Sequence, residues 1–152
     1  MKKILLTTMM LTIGLSAYTI KENKKACESG LMSGCFQLSV QYRDGLSVKR
    51  DYSKAVEYAT KACDGDYAKG CTNLGYLYER GMRLDHDYAR AVKYYTKGCN
   101  GGNMQGCTSL GFMYERGKGV KQDYAKAREL YAKACDGRDT KGCENYEKLN
   151  KR

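Results

Sequence analysis

The chain has no proline and no tryptophan, only two phenylalanines and a single histidine, His86. Without proline, no helix interior loses a hydrogen bond or takes the kink that the pyrrolidine ring imposes, so uninterrupted helices are favoured. One histidine excludes the clustered imidazoles of a catalytic zinc site. A Ser-His-Asp triad would have to run through His86, which reads most simply as a solvated loop residue. Long apolar runs are also missing. The longest, Ile4 to Leu15, is interrupted by Thr7, Thr8, Thr12 and Gly14 and is too short to span a bilayer comfortably.

What is present at the start of the chain has the layout of an export signal. Lys2 and Lys3 form a basic head, the apolar run follows, and Gly14, Ser16 and Ala17 supply small residues, predicting a signal peptide at 1–17 cleaved near Ala17. No cysteine stands at that junction, which argues against a lipid anchor. Cleavage leaves 152 − 17 = 135 residues, 18–152, enough for one domain. Loss of Lys2 and Lys3 takes the formal charge from +10 to +8. A basic excess favours acidic partners. For an exported chain these are anionic envelope polymers or an acidic protein face, not nucleic acid. A secreted or periplasmic product with no membrane span is expected.

Eight cysteines then stand on a fixed grid. Cys27, Cys63, Cys99 and Cys135 recur every 36 residues, and Cys35, Cys71, Cys107 and Cys143 each follow eight positions behind. A constant period of this size marks a solenoid, with copies at 27–62, 63–98 and 99–134 and a half copy or cap at 135–152. Evenly spaced thiols in an exported chain also read as a disulfide framework. Local pairing as Cys27–Cys35, Cys63–Cys71, Cys99–Cys107 and Cys135–Cys143 uses every thiol. Pairing across a hairpin, such as Cys35 with Cys63, orphans Cys27 and Cys143, so local pairing is preferred. Zinc pairs sit closer together than this spacing, so no metal and no cofactor is expected.

Within each copy the apolar positions have helical spacing. Cys71, Leu74, Leu77 and Tyr78 form one face, and Tyr88, Ala91, Val92 and Tyr95 form a second. Gly45, Gly81 and Gly117 stand where a first helix ends, and Asp51, Asp87 and Asp123 stand where a second begins. Gly34, Gly70, Gly106 and Gly142 precede the second cysteine of each pair, predicting close approach of a neighbouring helix. The 14 tyrosines are expected to bury their rings and leave their hydroxyls wet. Residues 19–26 are expected to cap the array at one end. At the other, Tyr146 and Leu149 keep the inward face while Glu144, Glu147, Lys148, Asn150 and Lys151 turn it polar.

The run Cys107-Thr-Ser-Leu110-Gly111-Phe-Met-Tyr114-Glu-Arg-Gly117-Lys-Gly119-Val120-Lys-Gln-Asp123-Tyr-Ala-Lys126-Ala127 resembles the Sel1-like repeat, a relative of the tetratricopeptide repeat. Cys107 takes the place of the pattern's first alanine, and that replacement is similar to the Helicobacter cysteine-rich proteins. The first copy departs most, with Ser39 after Leu38 and Ser47 in place of a glycine; Met82-Arg83 departs in the second. The resemblance implies an all-α, right-handed α/α solenoid of helical hairpins stapled by local disulfides. It also implies a β-lactamase assignment, meaning penicillin binding with slow ring hydrolysis, alongside a role as an interaction protein.

The chemistry for hydrolysis is not legible. The S-x-x-K and K-T-G strings of serine β-lactamases are absent. Glu79 and Glu115 recur and could activate water in principle, but solvated helix surface is their simpler role. Binding is better supported, because such solenoids present their first helices along a concave surface. The candidate binding residues are Asn73, Arg80, Ser109, Arg116 and Asn145. Gln37 shares their polar column, and Lys69, Gln105 and Lys141 lie one turn earlier. Amides and guanidinium groups suit a ligand with peptide backbone and a carboxylate: a β-lactam, a peptidoglycan-derived peptide, or a protein segment. The alternative to the slow β-lactamase is a non-catalytic protein–protein interaction module. A monomer is expected in either case.

Overall fold

The structure is a computed structural model describing residues 19–82 and 85–151. The signal peptide expected at 1–17 lies outside the described residues, as does Arg83. Eight helices follow one another, with no strand among the described residues: α1 (Ile20–Glu28), α2 (Met32–Asp44), α3 (Tyr52–Asp64), α4 (Ala68–Arg80), α5 (Tyr88–Asn100), α6 (Met104–Arg116), α7 (Tyr124–Asp136) and α8 (Thr140–Asn150). Each packs on the next, forming an α/α solenoid. α1 caps one end, α8 caps the other, and the hairpins α2–α3, α4–α5 and α6–α7 lie between.

The helix boundaries follow from side-chain chemistry. Asp51, Asp87 and Asp123 accept hydrogen bonds from the backbone N–H of Lys54, Arg90 and Lys126 at 3.0, 2.9 and 2.9 Å, satisfying orphan donors of α3, α5 and α7. Gly45, Gly81 and Gly117 end α2, α4 and α6 with φ of 72°, 60° and 63°, the left-handed conformation that favours glycine. At the array's edge, Thr19 and Glu22 form a capping box on α1.

Four disulfides join the pairs expected from local pairing, with Cα–Cα separations of 4.6, 4.4, 4.5 and 4.4 Å along the chain. Each pins the end of one unit's second helix to the first helix of the next. The glycines before the second cysteines allow that approach. A Cβ at Gly70 would lie 2.5 Å from the Ala62 Cβ, and one at Gly142 would lie 2.6 Å from the Ala134 Cβ.

First helices approach one another closely across hairpins, α2 with α4, α4 with α6 and α6 with α8, whereas the backbones of α3, α5 and α7 stay further apart, bridged by a long side chain where Lys97 donates to the Cys63 carbonyl at 2.8 Å. A stack that is tighter on one side curves toward it, so the first helices line the concave face. Between the two layers sits the core, where Leu38, Leu74 and Met113 are almost wholly buried.

Two tyrosines depart from the expectation of wet hydroxyls. Tyr95 and Tyr131 are 1 % and 0 % exposed, each ring pressed on the glycine, Gly75 or Gly111, of the facing first helix. A phenol buried this deeply needs an acceptor. Tyr95 donates to Glu79 Oε2 at 2.5 Å and Tyr131 to Glu115 Oε2 at 2.8 Å. Both glutamates, expected as solvated surface, are therefore part of the framework.

Candidate functional site: the concave groove

The first helices and the turns leading into them line a groove of about 1090 Å³, to which the second helices contribute only Tyr95. It runs along the stack, so each hairpin supplies homologous positions one period apart. The polar column contributes Gln37, Asn73 and Ser109, and the column one turn earlier contributes Lys69, Gln105 and Lys141. Phe36, Val40, Tyr76 and Met104 give the groove an apolar component.

The five candidate residues are not all brought together. Asn73 and Ser109 line the groove, whereas Arg80, Arg116 and Asn145 are not among its lining residues. Asn73 is buried and committed: its Nδ2 donates to Ser39 Oγ at 2.7 Å, and its Oδ1 accepts from Arg43 Nη1 at 2.6 Å. Ser109 lies beside the Tyr95 hydroxyl. Burial, and next the bond to Glu79, push the Tyr95 hydroxyl far above its ordinary range, so it stays protonated. Arg80 lies over the Tyr76 ring at 5.2 Å, and Arg116 lies over Phe112 at 5.6 Å.

Arg43 is the functional group that sequence reasoning missed. It lines the groove, lies 5.3 Å from the Tyr76 centroid on its own account, and holds Asp44 through two bonds of 2.7 Å. Those bonds hold the Asp44 carboxyl below the usual carboxylate range. A signal was available in the repeat register. Position 43 is arginine where the next two copies carry Glu79 and Glu115, a reversal of charge at one point of the grid.

Among the groove's side chains free to meet a ligand are Gln37, Lys69, Gln105, Arg138 and Lys141. All five are exposed and carry no hydrogen bond or ion pair among the described residues. Groups able to activate a nucleophile are engaged elsewhere: Glu79 and Glu115 by tyrosines, and the His86 Nδ1 by the Glu79 carbonyl at 2.5 Å. Among the described residues no cluster of His, Cys, Asp and Glu is arranged to hold a metal ion. No described helix is long and apolar enough to cross a membrane.

Comparison with known proteins agrees with this architecture. The Sel1 repeat pattern matches residues 33–67, 68–103 and 105–139, starting five or six residues after the cysteine frame of 27, 63 and 99. No curated protein matches the chain. Among solved structures, a Sel1 repeat protein from Oxalobacter formigenes is similar at 26 % identity and a TM-score of 0.74, covering 85 % of this chain and 97 % of its own. The Helicobacter pylori cysteine rich protein B is 30 % identical, with a TM-score of 0.67, over 87 % of this chain and 98 % of that one. A protective antigen of uropathogenic Escherichia coli strains, displaying an SLR fold, is 31 % identical with a TM-score of 0.77. It matches 82 % of this chain, which spans 27 % of that protein's length. With the matched repeats covering most of its length and the hairpins stacked as the grid requires, this chain belongs to the Sel1 repeat family.

Proposed function

We propose that the chain is an exported, non-catalytic interaction module that receives a segment of a partner protein in its concave groove. The observation that carries this reading is the division of labour between the side chains. Those nominated for hydrolysis are committed to the framework, while Gln37, Lys69, Gln105 and Lys141 project unpaired from a scaffold fixed by four disulfides. A rigid groove loses little conformational entropy when a flexible segment docks. Four disulfides support the reading of a working protein in an oxidising compartment, exported by a signal peptide at 1–17 with a mature domain at 18–152.

Peptide display against the oxidised protein tests the reading. Binders should be enriched, and they should lose affinity for a Gln105→Trp/Lys69→Trp variant in which the groove is filled. Absence of any enriched peptide, or enrichment indifferent to the blocked groove, would overturn it. Turnover of a chromogenic cephalosporin faster than buffer would restore the β-lactamase reading that the family resemblance raised.

A further inference from the structure

The charge and chemistry of the groove narrow the ligand further, on the premise that it binds a protein segment. Four of its lining residues are cationic, Arg43, Lys69, Arg138 and Lys141, against one carboxylate, Asp139. That carboxylate is already committed, accepting from the Gly142 N–H at 2.9 Å and from the Thr108 hydroxyl at 2.6 Å. Asp44 neutralises Arg43, whereas Lys69, Arg138 and Lys141 have no acidic partner among the described residues. The groove therefore presents three uncompensated positive charges, one midway along the stack on α4 and two at its far end.

We infer that the groove takes an extended acidic peptide segment, its carboxylates meeting Lys69, Arg138 and Lys141 and its backbone meeting the amides of Gln37 and Gln105. An acidic polysaccharide fits less well. Sugar rings bind by stacking on open aromatic faces, and here Tyr76 already carries the Arg43 and Arg80 guanidinium groups at 5.3 and 5.2 Å. Phe36 is packed against Tyr67, with ring centroids 5.7 Å apart, and Tyr95 is buried. What remains is the half-buried Val40 and Met104, aliphatic surface suited to an aliphatic side chain. Carboxylate, amide and aliphatic side chain occur together in a peptide. The orientation of the charge also bears on rate, since a focused cationic groove steers an acidic segment to its site.

The test uses the oxidised protein and a dye-labelled decapeptide with four Glu and two Leu, read by fluorescence anisotropy at low and near-physiological salt. A version with Gln in place of Glu and an acidic polymer of galacturonate serve as comparisons. The Glu peptide is expected to bind about tenfold more tightly than the Gln peptide, with the gap closing as salt rises. Lys69→Gln/Arg138→Gln/Lys141→Gln should lose about tenfold in affinity. Lys21→Gln/Lys49→Gln/Lys121→Gln removes equal charge from exposed positions outside the groove and should change affinity by no more than about twofold. Equal binding of the Glu and Gln peptides would overturn the acidic assignment and leave the interaction module standing. Equal losses in the two triple variants would overturn it by making the attraction non-specific. Displacement of the peptide by galacturonate at matched charge would give the groove to polysaccharide. If neither these peptides nor any displayed peptide binds, the module reading itself fails.

Discussion

The first hairpin and the two that follow it solve one packing problem in two ways. In α4–α5 and α6–α7 a tyrosine of the second helix lies on a glycine of the first and ends on a glutamate: Tyr95 on Gly75 and Glu79, Tyr131 on Gly111 and Glu115. In α2–α3 all three positions change together, to Ala59, Ser39 and Arg43. With no ring to admit, the glycine is not needed. Ser39 fills the space and donates to the Ala55 carbonyl at 2.7 Å. With no phenol to satisfy, the glutamate is not needed either, and the position is released to carry a guanidinium into the groove. A departure from the repeat that looks like decay is thus a coupled exchange, and it changes the charge of the binding face.

Converting one hairpin into the other is the most demanding check, and it has the largest expected effect. Tyr95→Ala should cost about 3–5 kcal/mol in urea denaturation of the oxidised protein, because a fully buried ring leaves a cavity. Gly75→Ser alone should cost roughly 1–3 kcal/mol, since its Cβ would lie 2.7 Å from the Tyr95 ring. The double variant recreates the arrangement of Ser39 opposite Ala59. Its loss should fall short of the sum of the two by about 1 kcal/mol or more, with the introduced serine hydroxyl bonded to the Ala91 carbonyl. Strict additivity would break the pairing of these positions.

Next in size are the staples. Replacing Cys63 and Cys71 by serine should cost roughly 2–3 kcal/mol in the chain-entropy model, and replacing Cys27 and Cys35 about the same, because the loops are equal in length. Where the loss is felt should differ. Hydrogen exchange should lose protection on both sides of the inner junction but only over α1 at the outer one. Uniform loss in both variants would mean that the array melts as one cooperative unit.

A second column exchange separates the three junctions by about 1 kcal/mol. Phe36 packs on Tyr67 at the first, and Thr108 donates to Asp139 at the third. At the middle one the Thr72 hydroxyl is buried with no partner among the described residues, while Asn103 Oδ1 accepts only from the Gly106 N–H at 3.1 Å. Asn103→Asp should recreate the third junction and stabilise the protein by about 1 kcal/mol. Thermal unfolding reads the gain, and Thr72→Val should then remove it. No gain would show that the middle junction cannot close around a shared carboxylate.

These columns also show why some of the site was legible and some was not. Hairpins, caps and staples were legible because each depends on one residue type at one place: Asp51 at a helix start, Gly45 at a left-handed end, Cys63 eight positions before Cys71. The concave columns were legible for the same reason, since the period carries Gln37 onto Asn73 and Ser109. The period does not state whether a polar side chain is free. Asn73 and Gln37 occupy equivalent positions, yet Asn73 is consumed by Ser39 and Arg43 from the preceding hairpin, 34 and 30 residues away. Glu79 is as polar as any surface residue by composition, but its partner Tyr95 lies 16 residues on and across the hairpin. Departures from the repeat, more than agreement with it, marked where such pairings had changed.

The smallest expected effect isolates the ion pair that the first hairpin gains from its arginine. Asp44 and Arg43 are joined by two short bonds, with side chains 39 % and 22 % exposed, so solvent screening keeps the contribution below about 1 kcal/mol. The sign follows from linkage. Folding lowers the Asp44 carboxyl, chiefly through its hydrogen bonds to Arg43, so the unfolded chain binds the proton more readily. The stabilisation is therefore present above the usual carboxylate range and is lost as pH falls through the lowered folded value. The stability difference between the parent protein and Asp44→Asn should be constant from neutrality down to about pH 5 and then shrink at more acidic pH. Urea midpoints at matched pH and salt measure it. Because Arg43 also reaches Asn73 and Tyr76, Asp44→Asn should at the same time strengthen binding of the Glu peptide by up to about threefold. Weaker binding would mean that Asp44 positions Arg43 for the ligand rather than competing with it.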